Sequence, residues 1–329
     1  AHETNGGLIA DGYTRATGKM SMVIAQNGPG ITGLVTPIKT AYWNHTPLLL
    51  VTPQAANKTM GQGGFQEVEQ MNLFKDMVCY QEEVRDPSRM AEVLNRVIEK
   101  AIRGSAPAQI NVPRDYWTQV IDIELPPIVR LERQGGGIDA IKKAADLLSN
   151  AKFPVILSGA GVVIGGAIEE TKQLAEKLDS PVCSGYQHND SFPGSHPLAV
   201  GPLGYNGSKA AMELISKADV VLALGTRLNP FSTLPGYGID YWPKNANIIQ
   251  VDINPDRIGL TKKVTVGISG DAKLVAKQIL EKLSSNAGDN DRQKRKDLIH
   301  QTKSAWLQKL SSLDHEEDDE GTVWNKEAR

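Results

Sequence analysis

Two cysteines in 329 residues, Cys79 and Cys183, stand far apart in the chain. A disulfide framework therefore does not organise this protein, and a reducing cytoplasm is its simplest home. No apolar run approaches the roughly 18 residues a membrane-spanning helix needs. Neither sign of charge dominates: 36 Lys and Arg face 38 Asp and Glu. That balance removes the broad electrostatic footprint of a nucleic-acid or anionic-membrane binder. The six histidines have no paired helical spacing and no cysteine neighbours, so no zinc site is expected. The opening also lacks an initiator Met and the charged, apolar and small-residue succession of a signal peptide. What is present in quantity is turn chemistry, with 31 glycines and 18 prolines beside 40% apolar residues. This composition fits an α/β protein, and the length suits two domains.

The first residues already read as the inside of an element, so the chain is expected to be a fragment. Leu8, Ile9, Tyr13 and Ala16 recur at helical spacing, and Gly18-Lys19 supplies a stop. A short strand at 22–25 leads into the turn Gln26-Asn27-Gly28-Pro29-Gly30, followed by a helix carrying Ile31, Leu34, Val35 and Ile38. "PLLLVT" (47–52) is the continuous apolar run of a strand covered on both faces. A Gly-rich loop (53–67) precedes a helix with Asp86 as N-cap, Pro87 at its first position and Gly104 at its end. "AQINVP" (108–113) returns as a strand. Such alternation predicts a parallel sheet between helices.

The Pro- and Gly-rich stretch 118–136 has linker composition, separating a domain at 1–117 from one at 137–284. The second repeats the alternation: strands at 154–159, 181–184, 219–225, 247–253 and 264–268, and helices at 138–150, 166–178, 208–217 and 271–284. The fold class is α/β, with two doubly wound parallel-sheet domains. Residues 285–329 are expected to form a linker: a polar helix (289–313) lying on another domain, then the acidic run 314–320 as a solvated spacer.

Each domain carries one Gly-rich loop. In the second, Gly159-x-Gly161-x-x-x-Gly165 follows a strand but is one residue too long for the dinucleotide fingerprint, and no acidic residue ends the next strand. A tight strand-to-helix turn suits it equally well. Asp252 could hold a ribose or cap a helix. In the first domain "QNGPG" lets backbone approach a flat ligand closely. Glu3 alone would be one solvated helix glutamate among many.

The strings "HETNGGLIADGYTRATGK", "QNGPGITGLVTPIKTAYWNHTPLLLVT", "GGFQE" and "RGSAPAQINVPRD" occur in one order. Together they resemble the pyrimidine-binding domain of thiamine-diphosphate-dependent enzymes, the group containing acetolactate synthase and oxalyl-CoA decarboxylase. Residues 137–284 resemble that family's Rossmann-like central domain through "GAGV", "ALGTRL" and "VDINPDRIG". The resemblance makes Glu3 the catalytic glutamate, which protonates the pyrimidine ring nitrogen of thiamine diphosphate from a dry pocket. It implies cofactor contacts at Asn27, Gly28, Pro29 and Gly30. It also implies a substrate-side loop at Phe65 and Gln66, lining the cavity of a neighbouring chain in a homodimer or homotetramer. "MGQGGFQEVEQM" and "YQHNDSFPGSHPLAVGPLGYNGSKAAMELI" resemble the branch of the family that takes sulfoacetaldehyde and phosphate to acetyl phosphate and sulfite.

Three positions depart from the wider family. Gly270-Asp271-Ala272 lacks the third glycine of the diphosphate–magnesium motif. Magnesium and diphosphate ligands are therefore expected in a further domain beyond Arg329, with no metal ligand in this chain. Gly33 stands where acetolactate synthase has Asn, and 201–207 departs from that enzyme's flavin-site pattern, so no flavin is assigned. The alternatives are an acetolactate synthase-like carboligase or decarboxylase, a non-catalytic nucleotide-binding module, and a dehydrogenase, which the off-spacing glycines argue against.

Overall fold

A computed structural model describes residues 2–127, 132–289 and 291–313. The chain divides into two compact units, residues 1–130 and 131–329. The acidic run 314–320 lies outside the described residues.

The first unit runs α1 (Glu3–Thr17), β1 (Ser21–Ile24), α2 (Pro29–Thr32), α3 (Val35–Trp43), β2 (Leu48–Gln54), α4 (Gln70–Phe74), β3 (Tyr80–Glu83), α5 (Met90–Gly104) and β4 (Ala108–Pro113). Its four strands are parallel in the order β1-β2-β4-β3. Successive strand residues point to opposite faces, so β2 feeds two cores. Leu48 and Leu50 pack with Ala10, Ile31, Leu34 and Ile38. Leu49 and Val51 pack with Val93, Val97 and Ala101 of α5.

The face of α1 that turns inward is not the apolar stripe expected from its spacing. Leu8, Ile9 and Tyr13 are exposed, while Gly7, Ala10, Asp11 and Thr14 are buried. Close approach is the reason: a β-carbon on Gly7 would lie 2.5 Å from Pro37 Cγ, so small residues face α3. The helix expected across Ile31–Ile38 is divided into α2 and α3 at Gly33 and Leu34. Strand β3 gave no apolar alternation because "YQEE" lies half-buried at the sheet edge.

The second unit runs α6 (Ile138–Asn150), β5 (Pro154–Ser158), α7 (Ala160–Gly165), α8 (Ile168–Leu178), β6 (Val182–Ser184), β7 (Ala199–Pro202), α9 (Lys209–Ile215), β8 (Val220–Leu224), β9 (Asn247–Asp252), β10 (Val266–Ser269), α10 (Ala272–Lys282) and α11 (Arg292–Leu313). Six parallel strands lie in the order β10-β9-β8-β5-β6-β7. The strand order reverses between β5 and β8, the doubly wound arrangement. β7 lies between residues 184 and 208, where no strand was expected from the sequence. Asp271 caps α10, accepting from the Lys273 and Leu274 N–H groups.

α11 docks on its own unit. Arg295 is buried and donates to the carbonyls of Lys152 at 2.7 Å, Leu178 at 2.9 Å and Asp179 at 3.1 Å. Ile299 completes the core with Leu214, Ile215 and Ile248. A guanidinium set against the last carbonyls of α8 satisfies acceptors that a helix leaves open at its end. The polar composition that made 289–313 read as a linker is thus partly an anchoring device.

Candidate active site

All four strands of the first unit are parallel, so their C-terminal ends share one edge of the sheet. The turn after β1 lies at that edge. Gly28 adopts φ 73° and ψ −115°, a conformation side chains rarely take. A β-carbon there would lie 2.8 Å from the Gln66 carbonyl oxygen. Pro29 then opens α2, its fixed φ suiting the first helical position.

The start of α1 is pinned to this turn. His2 caps the helix, its Nδ1 accepting from the Thr4 N–H at 3.2 Å. Thr4 Oγ1 donates to the Gly33 carbonyl at 2.7 Å. These contacts set Glu3 over the glycines. A β-carbon on Gly30 would lie 3.5 Å from Glu3 Oε1, and one on Gly33 would lie 3.3 Å from Glu3 Cβ. Gly33, which lacks the Asn of acetolactate synthase, therefore receives the glutamate's backbone-proximal atoms. The Glu3 side chain is 42% exposed, with His2 Nδ1 4.0 Å from Oε2. In this chain by itself the carboxylate is half-open, where a dry pocket was expected.

The same turn also grips the loop after β2. Asn27 Nδ2 donates to the Gln66 carbonyl at 3.2 Å, and Gln26 Nε2 donates to Gln66 Oε1 at 3.0 Å. Within the loop, the Glu67 carboxylate accepts from the Gly61 and Gly64 N–H groups. Phe65 is 92% exposed. Glu3, the Asn27–Gly30 turn and Gln66 are thus brought together within one chain, while the Phe65 ring stands in the open.

Sequence reasoning missed Gln26, Thr4 and a buried polar network beneath the loop. Thr52 Oγ1 donates to Asn111 Oδ1 at 2.6 Å, and Asn111 Nδ2 donates to Glu83 Oε2 at 2.7 Å. Gln109 Nε2 donates to Thr52 Oγ1 at 3.0 Å. Buried Gln70 donates to the Pro53 carbonyl at 2.6 Å, and Gln54 to that of Val68 at 3.3 Å. Polar groups in a core need such partners, and here they fix the segment carrying Gln66. Gln109 and Asn111 inside the strand "AQINVP" were the available signal.

The second unit's Gly-rich loop closes on itself. Gly161 N–H donates to the Gly225 carbonyl at 2.8 Å, and Val162 N–H to that of Gly159 at 3.0 Å. A β-carbon on Gly159 would lie 2.6 Å from the Gly225 oxygen. These glycines serve a tight turn. Asp252 neither caps an α-helix nor stands open: its Oδ1 accepts from the Asn254 N–H at 2.9 Å, and burial raises its pKa. Asn254 is the cap of the following short helical turn. Among the described residues no group of three His, Cys, Asp or Glu could hold a metal ion, and no helix is long and apolar enough to cross a membrane.

Comparison with known proteins accounts for both units. Residues 1–73 match the thiamine pyrophosphate enzyme N-terminal TPP binding domain, and residues 141–279 match the thiamine pyrophosphate enzyme central domain. The chain is 78% identical over its whole length to a probable sulfoacetaldehyde acetyltransferase of Rhizobium meliloti (strain 1021), covering 56% of that protein. It is equally similar, 78%, to the sulfoacetaldehyde acetyltransferase of Roseovarius nubinhibens, covering 55% of it. A probable acetolactate synthase large subunit of Methanocaldococcus jannaschii is 35% identical over 95% of the chain, which covers 52% of that protein. The crystal structure of benzoylformate decarboxylase from Polynucleobacter necessarius superposes with a TM-score of 0.77 at 24% identity, over 89% of this chain and 55% of that one. That last likeness speaks for the fold alone. The chain spans about half the length of the curated relatives it matches. Two domain models in their expected order, and similarity along the whole length, show that the chain belongs to the thiamine pyrophosphate enzymes.

Proposed function

We propose that a full-length protein carrying this chain is a sulfoacetaldehyde acetyltransferase, converting sulfoacetaldehyde and phosphate to acetyl phosphate and sulfite. The first unit supplies the pyrimidine-binding half of the site (1–117). A linker (118–136) joins it to the central domain (137–284), and 285–329 leads toward a diphosphate-binding domain outside this chain. The observation that carries the proposal is one turn that holds Gln66 through Asn27 and keeps a side-chain-free position, Gly30, beside the Glu3 carboxylate. It is joined by 78% identity to proteins named for that activity, against 35% to a probable acetolactate synthase.

The residues present suit thiamine diphosphate. Glycine at position 30 leaves open the space beside Glu3 Oε1 that a side chain would fill, as the approach of a flat ring requires. When bound, the cofactor supplies a nucleophilic carbon and an electron sink. Glu3 holds and delivers a proton at its carboxylate oxygen, for which a fixed position on the first turn of α1 is needed. Asn27 and Gly28 fix the turn, and Pro29 and Gly30 shape the wall facing Glu3. Phe65 and Gln66 face the substrate side. Magnesium and the diphosphate are held outside this chain, since magnesium demands several ordered oxygen ligands. A cytoplasmic homodimer or homotetramer is the proposed setting.

The test supplies the full-length protein with thiamine diphosphate, magnesium, sulfoacetaldehyde and phosphate, and measures sulfite and acetyl phosphate. Sulfite released only when phosphate is present is the expected result. Carbon dioxide from pyruvate, with no sulfite from sulfoacetaldehyde, would move the protein to an acetolactate synthase-like reaction.

A further inference from the structure

Gln66 is held in an unusual way. Its φ is +65°, in the left-handed region that non-glycine residues seldom occupy without a compensating constraint. The constraint is visible on both of its oxygens. The backbone carbonyl accepts from Asn27 Nδ2 at 3.2 Å, and the side-chain Oε1 accepts from Gln26 Nε2 at 3.0 Å. Gly28 closes the arrangement from beneath, with no room for a side chain. Behind it, the loop is tied down by Glu67 on Gly61 and Gly64 and by Gln54 on the Val68 carbonyl.

A glutamine amide has one acceptor end and one donor end. The bond from Gln26 to Oε1 fixes which way the amide is turned, and among the described residues Nε2 donates to none, so both of its hydrogens stay available to a ligand. We infer that Gln26 is a positioning residue that makes Gln66 a dedicated hydrogen-bond donor, and that this donor selects the anionic, sulfonate end of the substrate over neutral analogues. The inference rests on the reaction proposed above and adds the means of selection. A sulfonate offers only acceptors and is strongly hydrated, so a pocket that takes it must return donors for the lost water. An amide free to rotate would present its oxygen as readily as its nitrogen, and the oxygen repels an anion.

The test uses the full-length protein loaded with thiamine diphosphate and magnesium, and two probes that cannot react. Ethanesulfonate carries the anion, and dimethyl sulfone is its neutral counterpart. Calorimetric titration should show ethanesulfonate bound at least about tenfold more tightly, the scale of one hydrogen bond to a charged group. Gln66→Met should reduce that preference about tenfold, and Gln26→Met by roughly threefold. In the Gln66→Met background, adding Gln26→Met should change nothing further, because Gln26 acts through Gln66. A structural role for Gln26 would instead weaken binding equally in both backgrounds, and that outcome overturns the inference. So does a wild-type protein that binds the two probes alike, a result that needs no variant to fold. Gln26→Leu replaces Gln26→Met should the latter lose the cofactor. If the sulfonate preference and its dependence on Gln26 are found while sulfoacetaldehyde yields no sulfite, the donor assignment stands and the proposed reaction fails.

Discussion

Both units place a glycine-rich turn directly after a parallel strand and just before a helix, yet the two turns do opposite things. In the second unit, Gly159 and Gly161 let the end of β5 press against Gly225, and the Gly161 N–H is consumed by the Gly225 carbonyl. In the first, Gly28 and Gly30 bring the backbone beside Gln66 and Glu3, with the Glu3 carboxylate left half-exposed and the Gln66 amide held by Gln26. Glycine spacing does not distinguish the cases, because both turns need backbone without side chains. A main-chain carbonyl faces a glycine in both, Gly225 in one and Gln66 in the other; what distinguishes them is the Glu3 carboxylate that the first turn also meets, beside Gly30. A glycine loop becomes a candidate site only when titratable or amide side chains from elsewhere converge on it.

The widest test of this contrast is Glu3→Gln. In the full-length enzyme turnover should fall by roughly two to four orders of magnitude, the range for losing a positioned acid–base group. Hydrogen–deuterium exchange at C2 of the bound cofactor should slow in parallel. Exchange that stayed fast would remove Glu3 from cofactor activation and leave the turn of the first unit as empty of chemistry as that of the second.

Gly28→Ala should come next. The residue's φ of 73° disfavours a side chain, and its β-carbon would lie 2.8 Å from the Gln66 carbonyl. A shift of the loop by about an ångström costs on the order of a hundredfold in rate when it misplaces a substrate contact. The expected result is a raised KM for sulfoacetaldehyde together with a reduced kcat, while C2 exchange falls less than in Glu3→Gln. An unchanged KM would mean that the turn does not position Gln66 for substrate.

Gly161→Ala applies the same chemical change to the closed turn. Its β-carbon would lie 2.7 Å from Gly225 Cα, backbone against backbone, where overpacking costs about 1–3 kcal/mol. Calorimetry should show a lower unfolding midpoint, by roughly 2–12 °C for a unit of this size. Protein that remains folded should retain its KM for sulfoacetaldehyde. A variant of normal stability with altered substrate affinity would reverse the roles assigned to the two turns.

How much of this was legible in the sequence differs between fold and site. The continuous apolar runs at 47–52 and 219–225 located β2 and β8 because strands covered on both faces need no alternation. Strand β3 was not legible, since "YQEE" at a sheet edge carries no burial pattern. Nor was the inward face of α1, where close helix contact selects Gly7 and Ala10 over the larger Leu8 and Ile9. Glu3 and the 27–30 turn came from resemblance, as no local pattern separates Glu3 from a solvated glutamate. The Gln26–Gln66 pair spans forty positions and joins two exposed-looking loops. Such a pair becomes visible only when the strands that carry the loops lie side by side.

The smallest effect is expected at Asp252, where the second unit has a carboxylate that its closed turn does not use. Burial raises its pKa, partly offset by the Asn254 N–H bond and by Arg257 and Arg227 nearby. A raised carboxyl pKa means that the folded state holds the proton more tightly than the unfolded chain. Its contribution to stability is therefore fullest below the ordinary carboxylate range and is lost as pH rises through the folded value. Asp252→Asn keeps an oxygen to accept from the Asn254 N–H and removes the charge that burial disfavours. At neutral pH the unfolding midpoint should rise by roughly 1–3 °C. That gain should shrink as the pH is lowered and the wild-type carboxyl becomes protonated. Sulfite release should be unchanged, because this carboxylate serves a turn and not a ligand. A midpoint that fell in Asp252→Asn at neutral pH would mean that the two arginines outweigh desolvation. In that event the closed end of the second sheet would hold a working ion pair, and its contrast with the open end of the first would narrow.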